Sequence, residues 1–332
     1  MKKVVINGFG RIGRLVAREL IKEKDIQIVA INNPCDEAEL AYLYKYDTIH
    51  GISKDKISYG KGYLQINGKR IKTFAERDAS KLPWKELGVD LVIECTGAYT
   101  KLEDAMIHVN SGAKHVLISA PGKGDMKTIV YGVNETTLDG TEKVVSAASC
   151  TTNALAPILK VINDTFGIKA GYMSTIHAYT NDQANLDVHH KKGYASRRGR
   201  ACALNIIPTS TGAATAIGKV IPSLEGKMKG NAFRVPVGDG SMLDLSLILE
   251  KKTTVDEINK VLEKKQSKSL KFTMEPVVSS DVIGNPTGGL VDGLLTDSID
   301  GENTFVKIIG WYDNEYGYSM QLCRTAKYFL KK

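Results

Sequence analysis

Val4-Val5-Ile6-Asn7-Gly8-Phe9-Gly10-Arg11-Ile12-Gly13 decides the fold of the first half of this chain. An apolar run ends in Asn-Gly, and Ile12, Leu15, Val16 and Leu20 then recur at helical spacing. The order is strand, tight turn, helix. In that setting Gly8, Gly10 and Gly13 make a GxGxxG pattern, which is weak alone but informative between a strand and a helix. Gly8 permits the turn, Gly10 lets a pyrophosphate approach the backbone, and Gly13 lets the helix close on the sheet. The helix N-terminus offers unpaired N–H groups to the phosphates.

Outward from this unit, Ile26–Asn32, Leu91–Glu94 and Val116–Ser119 read as further strands, with a helix over Leu102–Val109. Alternating strands and helices predict an α/β Rossmann-type cofactor domain with a parallel sheet over residues 1–149. After residue 150 the pattern changes. A helix carrying Leu155, Ile158, Leu159 and Ile162 contains Pro157, which fits it poorly. Longer strands follow at Gly171–Tyr179, Ala232–Val237, Leu243–Leu249 and Asn303–Trp311, with a final helix over 315–332. This predicts an α+β catalytic domain with a mostly antiparallel sheet over residues 150–314.

Asn33 stands just past the second strand, where dinucleotide sites usually carry an acidic residue for the ribose hydroxyls. Asn33 can still hydrogen-bond a ribose and repels a 2′-phosphate less than a carboxylate does. Asp36 or Glu37 is the other source of that charge.

The chain has 332 residues, 42% hydrophobic and 25% charged, which excludes disordered and collagen-like classes. Its net charge of +8 suits anionic metabolites and permits nucleic-acid or membrane-surface contact. The charge is spread along the chain apart from Lys191, Lys192, Arg197, Arg198 and Arg200. The apolar run of the first residues is too short for a signal-peptide core, and no stretch nears the roughly 18 apolar residues of a membrane span. Five cysteines without a CxxC pair point to reduced thiols and a cytoplasmic location. No metal-ligand pattern stands out.

Ser149-Cys150-Thr151-Thr152-Asn153 precedes the apolar helix, so Cys150 falls at a helix N-terminus, where the dipole favours thiolate. Cys95 and Cys202, in apolar surroundings, read as inert. A nucleophilic thiol needs a base, and His177 closes a strand in Thr175-Ile176-His177-Ala178-Tyr179. Sequence alone does not bring the two together. His50, His108, His115, His189 and His190 read as surface or loop positions.

The segments Asn7–Arg14, KYDTIHG (45–51), ECTG (94–97), SCTTN (149–153), HAYTNDQ (177–183), NIIPTSTGAA (205–214), RVPV (234–237) and WYDNEYGYS (311–319) add up. In this order the whole chain resembles the phosphorylating glyceraldehyde-3-phosphate dehydrogenase family. The resemblance implies that Cys150 attacks the aldehyde, His177 takes the proton, hydride passes to NAD(P), and inorganic phosphate releases an acyl phosphate from a Cys150 thioester. It assigns Thr180, Asp182 and Arg234 to the substrate phosphate. It assigns Ser149, Thr151, Thr211, Gly212 and Arg234 to the incoming phosphate, with Arg198 nearby. Asn314 holds the nicotinamide carboxamide, and Arg11, Ile12, Arg77, Thr96 and Ser119 line the cofactor. It implies a homotetramer, a final helix packing back on the cofactor domain, and a loop near 180–204 crossing toward a neighbouring cofactor. Neither a membrane nor a nucleic acid is expected as a main partner.

Two departures point one way. NAD-preferring members usually carry Asp at Asn33 and Leu-Pro at Val188-His189, so NADP acceptance is expected. The alternatives are erythrose-4-phosphate dehydrogenase, a semialdehyde dehydrogenase lacking the HAYTND and RVPV segments, and a non-catalytic RNA- or surface-binding role. Glycolytic versus gluconeogenic direction leaves no mark in the sequence.

Overall fold

The computed structural model describes residues 1–299 and 304–332. The chain divides into two compact units, one of residues Met1–Ser149 with Leu322–Lys332, the other of Cys150–Gln321. The first starts with β1 (Lys2–Asn7), α1 (Arg11–Leu20), β2 (Ile26–Asn32) and α2 (Glu37–Lys45). It continues through β3 (Ile57–Gly60), β4 (Tyr63–Ile66), β5 (Lys69–Phe74), α3 (Trp84–Leu87), β6 (Leu91–Glu94), α4 (Leu102–Asn110), β7 (His115–Ile118) and β8 (Val144–Ser146). Its eight strands run in the order β3-β4-β5-β2-β1-β6-β7-β8.

Strands β5 to β8 with β1 and β2 pair in parallel, so helices cover both faces and the strands read as apolar runs. Val5, Val92 and Val116 pack in one core with Trp84 and Ala105. Strands β3 to β5 form an antiparallel extension that the sequence reading missed. They are four to six residues long and largely exposed, so they lack the buried runs that betray a strand.

The second unit carries α5 (Cys150–Phe166), β9 (Ile168–Ala178), β10 (Ile207–Ser210), α6 (Ala213–Val220), β11 (Met228–Val235) and β12 (Ser241–Leu249). It is completed by α7 (Val255–Lys264), β13 (Leu270–Thr273), β14 (Gly289–Ile299), β15 (Phe305–Tyr312) and the start of α8 (Tyr316–Phe329). The strand order is β10-β11-β9-β12-β15-β14-β13, and β11-β9 and β14-β13 are the parallel pairs. Along β12 every second residue is buried, the alternation of a sheet with one covered face.

Pro157 lies inside α5, which runs unbroken for 17 residues. Asn303, the expected start of the last strand, lies outside the described residues. The unit boundary falls within α8. Only Leu322 onward groups with residues 1–149, because Gln321 belongs to the other unit, where it accepts a hydrogen bond from Ser269 Oγ.

Candidate active site

The C-terminal ends of β1, β2 and β6 open on a cavity of about 420 Å³ lined by Gly8, Gly10, Asn33, Arg77 and Thr96, among others. Gly8 holds φ +93, and a Cβ there would meet the Thr96 backbone at 2.7 Å. A Cβ on Gly13 would sit 2.1 Å from the Gly8 carbonyl oxygen. A Cβ on Gly10 meets nothing, so a ligand can approach its backbone. These glycines, at the N-terminus of α1, fit a dinucleotide pyrophosphate.

The cavity brings together five of the nominated residues. Gly13 serves packing. Arg11, Ile12 and Ser119 do not line it. Arg11 pairs with buried Asp47 at 2.5 Å. Burial opposes ionisation of Asp47, but the guanidinium and the N–H groups of His50 and Ile49 hold its pKa down at about 2. Asn33 accepts from the Phe9 N–H at 3.0 Å and donates to Cys35 Sγ at 3.0 Å. The acidic neighbours are engaged elsewhere. Asp36 caps α2 through the Glu39 N–H, and Glu37 accepts from Gly62 N–H and Thr73 Oγ1.

Beneath this cavity lies a polar hub that the sequence reading missed. His108 is fully buried on α4 rather than at the surface, because its ring is held on both sides. Trp84 Nε1 donates to its Nδ1 at 3.1 Å, so its Nε2 carries the proton that meets Glu94 Oε2 at 3.1 Å. Asn7 Nδ2 also donates to Glu94 Oε2, and the N–H and hydroxyl of Thr96 donate to Oε1. Thus buried Glu94 ties β1, α4 and the cavity-lining Thr96 together. His115 is likewise no loop residue: it sits on β7, against Phe329.

In the second unit, Cys150 is the first residue of α5, and its Sγ lies 3.5 Å from Nε2 of His177. Two residues earlier Ala148 holds φ +59, a conformation L residues adopt at a cost and retain mostly near functional sites. His177 Nδ1 lies 2.7 Å from the Ala178 carbonyl oxygen and 3.0 Å from Arg234 Nη1, which holds the ring with its Nε2 turned to the thiol.

Burial first, and then the Arg234 charge, push the His177 pKa down to about 3. Burial raises the Cys150 thiol against the opposing pull of Arg234. The expectation of a dipole-stabilised thiolate therefore meets a stronger desolvation effect. Moving the one proton from Sγ to Nε2 leaves the net charge unchanged, so thiol and imidazole act as one unit.

A chain of polar groups extends from this pair. Arg234 Nη1 donates to the Ala178 carbonyl at 2.8 Å and to Thr180 Oγ1 at 3.0 Å. Thr180 donates to Asp182, which pairs with Arg198. Arg198 Nε also reaches Thr209 Oγ1 at 3.3 Å, while Arg200 faces solvent with Asp187. Arg234 Nε is a buried donor with no partner among the described residues. Thr151 Oγ1 contacts the hydroxyl of Tyr312, which also contacts Thr175. Thr211 Oγ1 accepts from Ala213 N–H, with Gly212 as N-cap of α6. Tyr312 was not singled out, although the quoted WYDNEYGYS segment contains it. Ser241 Oγ accepts from Ala178 N–H and donates to Asn314 Oδ1 at 2.6 Å, leaving Asn314 Nδ2 as its donor.

Comparison with known proteins agrees with this arrangement. Residues 2–102 match the NAD binding domain family of glyceraldehyde 3-phosphate dehydrogenase, and residues 149–314 match its C-terminal domain family. The chain is 53% identical over 332 residues to a glyceraldehyde-3-phosphate dehydrogenase of Clostridium pasteurianum, covering all of this chain and 99% of that one. It is 52% identical over 332 residues to the one of Clostridium acetobutylicum, with the same coverage.

Proposed function

The chain belongs to the glyceraldehyde-3-phosphate dehydrogenase family of NAD-binding oxidoreductases, and from that premise we propose that Cys150 and His177 carry its chemistry. The observation that supports this reading is the 3.5 Å approach of Sγ to Nε2 beside Arg234. Nothing in either unit favours the erythrose 4-phosphate or binding-protein alternatives.

In this reading Sγ attacks the aldehyde carbon while its proton moves to His177 Nε2, which then hydrogen-bonds the developing oxyanion. The bound dinucleotide supplies the hydride acceptor. The hydroxyl proton of the thiohemiacetal leaves through His177, and a thioester remains on Cys150. Inorganic phosphate attacks that carbonyl, the acyl phosphate leaves, and sulfur departs as thiolate. Arg234, Thr180, Asp182 and Arg198 form the substrate-phosphate subsite, the unpartnered Arg234 Nε being the group that suits an oxyanion. Ser149, Thr151, Thr211 and Gly212 lie about the incoming phosphate. Residues 1–149 bind the dinucleotide through Gly8, Gly10, Asn33, Arg77 and Thr96.

Neutral Asn33 and the Val188-His189 pair support acceptance of NADP beside NAD. Exposed apolar residues on the 180–204 loop (Leu186, Val188 and Tyr194, the last 99% exposed) support self-association into a homotetramer. Five free cysteines support a cytoplasmic location, and among the described residues no helix is long and apolar enough to cross a membrane.

The test is phosphate-dependent reduction of NAD and of NADP with glyceraldehyde 3-phosphate. Cys150→Ser should abolish it. Asn33→Asp should shift the NADP/NAD ratio of kcat/KM toward NAD by about tenfold, through repulsion of the 2′-phosphate. Turnover retained in Cys150→Ser, or a ratio unmoved by Asn33→Asp, overturns the corresponding part.

A further inference from the structure

Strand β5 ends at Phe74, where its backbone pairs with Asn32 at the end of β2. Residues 75–78 continue past it outside any strand, yet Arg77 lines the cavity. Side chains take the place of the missing ladder. Asn32 Nδ2 donates to the Glu76 carbonyl at 2.8 Å, and Asn32 Oδ1 accepts from the Glu76 N–H at 3.0 Å. An amide that exchanges both bonds with one residue does what a neighbouring strand would do. The Tyr99 hydroxyl adds a second hold, donating to the Arg77 carbonyl at 3.0 Å.

The direction of the Asn32 amide is set from the hub below it. Asn7, Asn32 and Glu94 are all buried. Glu94 is an acceptor on every side, for His108 Nε2, for the N–H and hydroxyl of Thr96, and for Asn7 Nδ2. With its nitrogen on Glu94, Asn7 turns Oδ1 to Asn32, whose Nδ2 donates to it at 2.7 Å. A flipped Asn32 would set oxygen against oxygen at both Asn7 and Glu76. The hub therefore permits one orientation, and that orientation holds Glu76 in register.

Asn32 itself lines the cavity, but both of its N–H groups are spent on protein partners. Its effect on a ligand therefore passes through what it holds. Among the described residues no ion pair or hydrogen bond holds the exposed Arg77 guanidinium, so its placement depends on the backbone beneath it. We propose that Asn32 is a positioning residue that fixes the Glu76–Arg77 backbone and thereby places Arg77 against the bound dinucleotide. The proposal rests on the reading of Arg77 as a dinucleotide contact given above.

A double-mutant cycle on NAD binding tests it, with the dissociation constant read by titration calorimetry of the full-length protein. Arg77→Ala should raise that constant about tenfold, the loss expected for a charged hydrogen-bonding group. Asn32→Ala should raise it about fivefold, because the guanidinium remains but is no longer held in place. The double variant should stay at about tenfold, because no guanidinium is left to place. Asn32→Asp keeps the shape of the native side chain, loses its donors and sets oxygen against Asn7 Oδ1 and the Glu76 carbonyl. It should bind NAD no better than Asn32→Ala. Hydrogen exchange over residues 75–79 of the free protein should quicken in Asn32→Ala and keep its wild-type rate in Arg77→Ala.

An unchanged constant in Arg77→Ala overturns the reading of Arg77, and the proposal with it. A raised constant there beside an unchanged one in Asn32→Ala overturns the proposal alone. So does a double variant at about fiftyfold, the additive value, which would mean that Asn32 reaches the ligand by another route. Wild-type binding in Asn32→Asp would show that the side chain only fills space, and unchanged exchange in Asn32→Ala would show that it does not hold the segment. If Asn32→Ala does not fold, Asn32→Asp takes its place in the cycle.

Discussion

His108 and His177 are both buried, 0% and 3% exposed, and both sit at the centre of a polar cluster, yet they are built for opposite ends. Each ring nitrogen of His108 has a permanent protein partner, Trp84 on one side and Glu94 on the other. His177 is held at Nδ1 alone, by the Ala178 carbonyl with Arg234 Nη1 3.0 Å away, and turns its second nitrogen to a thiol. A histidine satisfied on both sides has no proton to exchange and acts as a brace. One satisfied on a single side by a backbone carbonyl is oriented and still able to take a proton.

The largest expected effect tests the reactive partner. His177→Asn should lower kcat for phosphate-dependent NAD reduction by roughly 10²–10⁴-fold, the usual share of general acid–base catalysis, with little change in melting temperature. Alkylation of Cys150 by iodoacetamide should slow alongside. His108→Gln should leave kcat of the folded enzyme near wild type. A kinetic loss of equal size in both variants would erase the contrast.

The next effect tests the brace. His108→Ala leaves the Trp84 indole N–H without its acceptor and removes one of the donors on buried Glu94. Loss of such a network costs roughly 2–4 kcal/mol, read as a lower urea midpoint at constant m. Because Glu94 also holds Thr96 at the cavity wall, KM for NAD should rise in the same variant. Full stability in His108→Ala would show that the hub relaxes around water.

The same contrast explains what the sequence could reveal. GxGxxG and the apolar runs of β1, β2 and β6 are local signals, and they located the first sheet and its cavity. Cys150 and His177 were legible as residue types with context, but their 3.5 Å approach, across 27 residues, depends on how α5 lies against the strand β9 that follows it. His108 had no local signal: it sits one helical turn from polar and apolar neighbours alike, and only Trp84 and Glu94, 24 and 14 residues away, show its role. Arg11 followed its motif, but Asp47 drew its side chain away from the cavity.

The smallest effect concerns acid. His177 has a folded pKa near 3, against about 6.5 for an unperturbed histidine. Below about pH 6.5 the unfolded chain therefore binds a proton at this position that the folded one refuses. The native state is favoured by this term above pH 6.5, and the advantage falls as pH drops toward 3, because the unfolded state holds more protons there. The slope from one group is at most about 1.4 kcal/mol per pH unit. His177→Asn removes the titrating ring, so its unfolding free energy should fall less steeply than wild type between pH 6 and pH 5. Urea titrations at the two pH values give the difference directly. Parallel losses in wild type and variant would mean that the His177 ring accepts a proton in the folded enzyme, and that thiolate and imidazolium already coexist before substrate arrives.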